Sequence, residues 1–278
     1  MIEKNLVNNI TVLKVSNQFG TAEIAEQGAH LLSWIPAKEE PVLWMSKKSY
    51  FEPGKPIRGG VPVCWPWFGS VKQPAHGFAR LEKWDIADVS ELENGSTQVV
   101  LTLEKSALAE FPFRAQMTIT VGRSLELALT VVNLGDKPVE TSGALHTYFA
   151  VSDVANIRIS GLDGAAFEDR RASAKVVKGH VQDGEVSVEE EVDRLYPATT
   201  SDLIFSDIGT GRSILVEKLG SASTVVWNPW IAKAAAMPDF GDEEYHQMVC
   251  IEAGNIAEDA RILKPGIAHT LAQKITVL

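Results

Sequence analysis

The 278-residue sequence predicts an all-β fold, a large antiparallel sandwich, on three observations. Short runs rich in Val, Ile, Leu and Thr alternate with polar residues at a period of two, which is typical of half-buried strands. Turn signals such as ENGS and LGDKP separate these runs. Strands do not alternate regularly with long amphipathic helices, which argues against a parallel α/β sheet.

Six runs carry the strand prediction. In chain order they are TQVVLTLEK (97–105), AQMTITV (115–121), SLELALTVVNLG (124–135), ANIRISGL (155–162), RSILVEKLG (212–220) and TLAQKITVL (270–278). Only EKSALAEF (104–111) and DEEYHQM (242–248) favour a helical turn or two. We interpret the charged run EVSVEEEVDRLYP (185–197) as a solvated edge or hairpin. Because no Pro-, Gly- or Ser-rich linker interrupts the chain, we expect one domain over residues 1–278.

The composition restricts the class of partner. The chain is 45% hydrophobic and carries a net charge of -10, which disfavours nucleic acids and anionic membranes because both attract clustered positive charge. A phosphorylated small molecule needs only two or three well-placed cations. Cys64 and Cys250 form no CxxC pair, and the N-terminus lacks the apolar core of a signal peptide. We therefore expect a cytoplasmic protein with reduced thiols. The sequence leaves the oligomeric state open, and a monomer is the simplest expectation.

The six histidines fall into two groups. Four lie in strand, turn or acidic contexts and are expected to be structural or exposed: His30, His180, His246 and His269. His76 in QPAHGFAR and His146 in GALHTYFAV have small and aromatic neighbours. For these two, a catalytic histidine and a core histidine bonded to a backbone carbonyl are both open interpretations.

Glu252 is the carboxylate with the most unusual context, inside the apolar run MVCIEAGN. A carboxylate in such a run faces solvent, is paired, or is functional. Asp239 in MPDFGDEE is a candidate residue at the lip of a site. Motifs for zinc, phosphate loops, dinucleotides and a serine nucleophile are missing from the sequence. We therefore expect acid–base chemistry by side chains, without a metal or cofactor.

Six segments in this order resemble the aldose 1-epimerase (mutarotase) superfamily, and within it the branch of the D-hexose-6-phosphate mutarotases. They are IRGGVPVCWPWFG, QPAHGFAR, ALHTYF, DRLY, NPW and IEAGN, and they run from residue 57 to residue 255. The resemblance implies a β-supersandwich of the galactose mutarotase type. It also implies interconversion of the α and β anomers of a hexose 6-phosphate, with glucose 6-phosphate as the leading candidate substrate.

The resemblance further implies the roles of seven residues. His146 and Glu252 match the catalytic pair, which should then face each other across one pocket. Five residues match positions that contact the substrate: Arg58, Gln73, His76, Arg80 and Asp193. The two arginines among them match the site that binds the phosphate. We expect Glu252 to be the base for the C1 hydroxyl and His146 the acid for the ring oxygen. On this view His146 is cationic and Glu252 ionised at rest.

Arg58 opens the stretch IRGGVPVCWPWFG, a mixture of Gly, Pro and aromatic residues that regular helices and central strands avoid. A guanidinium offers forked donors that suit a phosphate dianion. Trp65, Trp67 and Phe68 either pack in the core or stack on a sugar face. The stretch stands where the galactose-type branch has an Asn-Arg motif, and Leu145 replaces the Asn expected before the histidine, which favours a phosphorylated substrate.

Two other function classes stay open. A non-catalytic carbohydrate-binding or sugar-sensing sandwich shares the fold and needs neither His146 nor Glu252. A glycoside hydrolase usually needs two carboxylates beside the bond. Only Glu252 has a convincing position for that role, with Asp193 or Asp239 as weaker seconds.

Overall fold

The computed structural model describes residues 1–105, 112–171 and 176–278. Its strands are β1 (Ile2–Val7), β2 (Ile10–Asn17), β3 (Gly20–Ala25), β4 (His30–Pro36), β5 (Val63–Cys64), β6 (Asp85–Glu91), β7 (Thr97–Lys105), β8 (Phe113–Val121), β9 (Leu125–Asn133), β10 (Val139–Thr141), β11 (Gly143–Leu145), β12 (Tyr148–Ala150), β13 (Ile157–Ser160), β14 (Ala166–Asp169), β15 (Val177–Val181), β16 (Val192–Pro197), β17 (Leu203–Asp207), β18 (Arg212–Leu219), β19 (Ser223–Asn228), β20 (Met248–Asn255), β21 (Arg261–Leu263) and β22 (Ala268–Val277). The helical segments are α1 (Trp230–Ala236) and 3₁₀ turns at Ala79–Leu81, Val154–Asn156, Glu244–Gln247 and Ala257–Asp259.

Two large antiparallel sheets form the body of the protein. One has the order β15-β14-β16-β19-β20-β11-β5, with β12 also paired to β20, and is called the site sheet below. The other has the order β13-β17-β18-β22-β9-β8-β7-β6. A four-stranded sheet, β1 to β4, and the pair β10-β21 complete the architecture. The predicted all-β antiparallel fold is confirmed.

The main core contains apolar side chains from both large sheets and from the four-stranded sheet. In β8 and β9 buried side chains alternate with more exposed ones, as expected for strands with one face on a core. Strand β20 differs, because all eight of its residues are buried. Both faces of β20 are therefore covered, which explains its almost continuous apolar sequence.

The six predicted strands all occur, each within three residues of its expected ends. The interpretation of 185–197 as a solvated edge is wrong for its second half, because β16 lies between β14 and β19 and buries Leu195 and Tyr196. Helix α1 was not predicted from the sequence. The turn expected at 242–248 is the 3₁₀ segment Glu244–Gln247. The turn expected at 104–111 falls largely outside the described residues. Within those residues, no helix is long and apolar enough to cross a membrane.

Candidate active site

A cavity of about 530 Å³ lies on the face of the site sheet opposite the main core. Successive side chains of a strand point to opposite faces. In β20, Val249 and Ile251 therefore enter the main core, while Cys250 and Glu252 face the other way. Glu252 lines the cavity.

Cross-strand register places a row of side chains on this face. Tyr148 on β12 pairs with Cys250 on β20, and Cys250 pairs with Trp227 on β19. Trp227 pairs in turn with Asp193 on β16. Directly paired residues project to the same face of a sheet, and Glu252 is two residues from Cys250. Four neighbouring strands thus direct polar and aromatic groups at one cavity.

His146 and Glu252 face each other in this cavity. The imidazole Nε2 of His146 lies 3.2 Å from Oε1 of Glu252. The backbone N–H of His146, just after β11, donates to the carbonyl of Pro62 at 3.1 Å. Glu252 is 1% exposed, and its Oε2 has no hydrogen-bond partner among the described residues. The structure brings together the two residues that were paired from the sequence, and no donor in the described part of the chain contacts the second carboxylate oxygen.

The protonation of the two side chains is set mainly by their burial. Nε2 and Oε1 lie 3.2 Å apart, and two deprotonated acceptors at that distance repel each other, so the contact favours a proton on one of them. Burial, followed by the neighbouring His76 and two arginines, lowers the pKa of His146 well below 6.5. Burial, followed by the charge of Asp193, raises the pKa of Glu252 well above 4.5. The proton therefore lies on Glu252, and the expectation of a cationic His146 and an ionised Glu252 is wrong for the protein alone, because burial disfavours both charges.

His76 lines the same cavity from a left-handed backbone conformation, with φ at 61°. Its ring lies edge-on to Phe68 at 4.8 Å and 6.0 Å from the ring of His146. Burial, together with Arg80 and Arg58, lowers the pKa of His76 to about 4, so its imidazole is neutral near pH 7. A neutral imidazole donates one hydrogen bond and accepts another, which suits contact with a sugar hydroxyl.

Arg58 is held by two partners at the cavity wall. Its Nε and Nη2 donate to the two oxygens of Asp239 at 3.2 Å each, and its Nη1 donates to the hydroxyl of Tyr148 at 3.0 Å. The buried His30 fixes the next residue, because its Nε2 donates to the carbonyl of Gly59 at 2.8 Å. Within the described ranges these bonds use three of the five guanidinium N–H groups, which leaves two for a ligand. Asp239 acts on the site through Arg58.

Arg80 also lines the cavity, and in the described part of the chain no carboxylate pairs with it. Its Nη2 donates to the carbonyl of Ala75 at 2.8 Å, and its Nε is buried without a hydrogen-bond partner among the described residues. A partly exposed guanidinium with donors to spare can bind a phosphate or carboxylate group. Arg58 and Arg80 therefore give the cavity a cationic wall that can bind an anion, called the anion-binding wall below.

Asp193 contributes a carboxylate from β16. Its Oδ2 lies 3.3 Å from Nζ of Lys233 on α1, and Lys233 also donates to Glu191 at 3.0 Å. The Lys233 amine lies 5.8 Å from the ring centroid of Trp227, another residue of the cavity. Burial raises the pKa of Asp193, although Lys233 opposes this shift. Carboxylate, amine and indole together suit a polyhydroxylated ring with an apolar face.

A family model described as aldose 1-epimerase matches residues 11–276. The chain belongs to the aldose 1-epimerase family. Membership makes it an isomerase, as predicted. An Escherichia coli K12 protein named as a candidate glucose-6-phosphate 1-epimerase is 36% identical to this chain. The match covers 100% of this chain and 94% of that protein.

Solved structures agree with this family assignment. The structure of YeaD, a candidate mutarotase from Salmonella typhimurium, has a TM-score of 0.90 and 33% identity, and covers 99% of this chain and 93% of its own. A galactose mutarotase-like protein from Clostridium acetobutylicum covers 100% of this chain and 98% of its own at a TM-score of 0.76. At 14% identity, the second likeness shows the fold alone.

Six of the seven predicted site residues line the cavity of this epimerase: Arg58, His76, Arg80, His146, Asp193 and Glu252. Gln73 is the exception, because it is exposed and does not line the cavity. The loop that carries Gln73 is closed at its base, where the N–H of His76 donates to the carbonyl of Gly69 at 2.7 Å. The tip of the loop, including Val71 at 73% exposure, faces solvent.

Several residues that line the epimerase cavity were missed by the sequence analysis: Tyr148, Arg170, Trp227, Lys233 and Met237. Tyr148 was detectable, because it lies two positions after His146 and shares its side of the chain. Of the predicted aromatic residues, Phe68 lines the cavity and Trp65 lies in the main core. Trp67 donates instead to the carbonyl of Pro74 at 2.8 Å.

Proposed function

We propose that the chain is a single-domain epimerase, residues 1–278, that interconverts the α and β anomers of a hexose 6-phosphate, first of all glucose 6-phosphate. The contact of 3.2 Å between His146 Nε2 and Glu252 Oε1, in a cavity that Arg58 and Arg80 also line, carries the proposal. The name of the Escherichia coli relative supports the substrate. A sugar sensor has no need of a buried acid–base pair, so that alternative is not favoured.

Anomer exchange breaks and remakes the bond between C1 and the ring oxygen O5. A base takes the proton of the C1 hydroxyl while an acid protonates O5, and the ring opens to the aldehyde. Rotation about C1–C2 followed by closure, with both proton transfers reversed, yields the other anomer. His146 and Glu252 hold one proton and one free acceptor between them, which are the two groups that this reaction needs. Each cycle returns the pair to its starting protonation.

Binding of the substrate's phosphate group favours the roles of Glu252 as the base and His146 as the acid. The positive field of Arg58 and Arg80 contributes to the low pKa of His146, after burial and His76. A dianion bound at the two arginines cancels that field, so the pKa of His146 rises. A higher pKa favours the protonated imidazole, which is the form in which His146 acts as the acid. An unphosphorylated sugar leaves the field in place, so the pair acts on it more slowly.

We further propose that the enzyme acts as a cytoplasmic monomer on this small molecule. Cys64 and Cys250 are free and buried. Burial raises the pKa of Cys64 to about 12, so its thiol is unreactive, as in a structural cysteine of a reducing compartment.

Mutarotation measured from the pure α anomer tests the proposed function. Polarimetry or a coupled assay should show an enzyme rate well above the buffer rate with glucose 6-phosphate. We expect kcat/KM for glucose and for galactose to be lower by at least about 10-fold, since one lost charge-assisted hydrogen bond accounts for that factor. Equal rates with all three sugars would contradict the phosphate assignment. No acceleration of any of them would support the sensor.

The pH dependence of kcat/KM follows from the shared proton. A second proton on the pair removes the base, and the pKa for this step belongs to His146, which burial and nearby cations lower. We therefore expect the acid limb, measured with unphosphorylated glucose, to lie below pH 6.5. Glucose is used because the phosphate of glucose 6-phosphate loses its second proton near pH 6, and this titration would overlap the acid limb. An acid limb at or above pH 6.5 with glucose would contradict the neutral pair.

A further inference from the structure

Tyr148 lies between the anion-binding wall and the catalytic pair. It is 1% exposed, and its ring stacks on that of His146 with centroids 4.8 Å apart and planes 15° apart. The Trp44 ring stacks on it at 5.7 Å, and the Trp227 ring meets it edge-on at 6.0 Å. Three aromatic contacts therefore fix the position of the phenol ring.

The hydroxyl of Tyr148 has one hydrogen bond and the capacity for another. It accepts from Nη1 of Arg58 at 3.0 Å. Because a guanidinium is only a donor, the phenolic proton must point elsewhere. In the described ranges that proton meets no acceptor, and Tyr148 lines the cavity. Burial raises the pKa of Tyr148 above its usual value of 10, so the hydroxyl keeps its proton at neutral pH.

The charges around this hydroxyl favour an anionic acceptor. Asp239 already binds the side of Arg58 that carries Nε, so the remaining guanidinium donors lie at the Nη groups, near the Tyr148 hydroxyl. A phosphate oxygen placed there receives a phenolic O–H and a guanidinium N–H together. Hydrogen bonds of this charge-assisted kind are about twice as strong as neutral ones.

We propose that Tyr148 determines specificity for the phosphorylated sugar: its hydroxyl donates to the phosphate beside Arg58, and its ring holds the imidazole of His146 in place. The proposal rests on the proposed function. The two roles of Tyr148 can be separated by substitution, because Tyr148→Phe removes the hydroxyl and keeps the stacked ring.

Steady-state kinetics of Tyr148→Phe with two sugars test this proposal. We expect KM for glucose 6-phosphate to rise by about 10-fold or more, with kcat within about 2-fold, and both constants for glucose to stay unchanged. Tyr196→Phe is the matched control, because the buried hydroxyl of Tyr196 donates to Gln182 at 2.9 Å, outside the cavity. Tyr196→Phe should change neither KM nor kcat for either sugar. An unchanged KM for glucose 6-phosphate, or equal losses with both sugars, would overturn the proposal.

A binding measurement separates this proposal from the proposed function. Inorganic phosphate should raise the Tm of the wild-type protein and of Tyr196→Phe, and raise that of Tyr148→Phe by clearly less. The expected difference requires no catalysis, so it holds or fails even if the wild-type enzyme exchanges no anomers. Equal shifts in the three proteins would show that the hydroxyl does not bind the anion.

Discussion

Replacing Glu252 by Gln is expected to lower kcat for hexose 6-phosphate anomer exchange by about 10²- to 10⁴-fold, the usual contribution of one acid–base group. The amide keeps the size of the side chain and can still contact Nε2 of His146, but it cannot take the proton of the C1 hydroxyl. The measurement is the exchange rate above the buffer rate at saturating substrate. Glu258→Gln is the control, because Glu258 is exposed and lies outside the cavity.

The same substitution is expected to stabilise the protein. Burial raises the pKa of Glu252, so the folded protein holds a proton that the unfolded chain releases above about pH 4.5. Stability present below that pH is lost as pH rises towards the folded pKa. Glutamine does not titrate, so the Tm advantage of Glu252→Gln should be larger at pH 8 than at pH 4.5. Each kcal/mol corresponds to about 2–4 °C at this chain length. A lower Tm at pH 8 would contradict the assigned protonation.

Replacing Arg80 by Gln is expected to raise KM for glucose 6-phosphate by about 10- to 100-fold and to leave KM for glucose nearly unchanged. Arg80 has no carboxylate partner in the described chain, so its loss removes a cation from the cavity and frees no buried acid. Hydrogen bonds to charged groups contribute about 1.5–3 kcal/mol, which corresponds to that range. Steady-state kinetics with both sugars measure the effect.

A second readout belongs to the same variant. The charge of Arg80 lowers the pKa of His146, so Arg80→Gln should move the acid limb of kcat/KM for glucose to higher pH. Lys274→Gln removes one positive charge from an ion pair with Glu217, outside the cavity, and should change neither KM nor the limb. If Arg80→Gln raised KM comparably for both sugars, Arg80 would have a structural role and would not bind the phosphate.

Much of the fold could be predicted because the signal is local. Period-two alternation in 97–105 and 115–121 reports a strand with one buried face, and β7 and β8 occur there. Segment 185–197 misled because a charged run normally faces solvent, whereas Asp193 faces a cavity and Leu195 is buried beside it. Helix α1 was missed because the run WIAKAAA offers little beyond the helix propensity of alanine.

The members of the site could largely be predicted, but their partners could not. His146 and Glu252 are separated by more than a hundred residues, and only strand pairing brings them together. The same holds for Arg58, whose guanidinium is held by Asp239 and Tyr148. Protonation was assigned wrongly because the depth of burial, which controls both pKa values, is a property of the folded structure.

A double-mutant cycle measured by NMR exchange spectroscopy tests the central claim most directly. Exchange between the C1 protons of the two glucose 6-phosphate anomers is followed at equilibrium with four proteins: wild type, His146→Asn, Glu252→Gln and the double variant. Groups that act as one unit give strongly non-additive losses. We therefore expect the double variant to exchange no more slowly than the slower single variant. A loss equal to the product of the two single losses would contradict a pair that shares one proton.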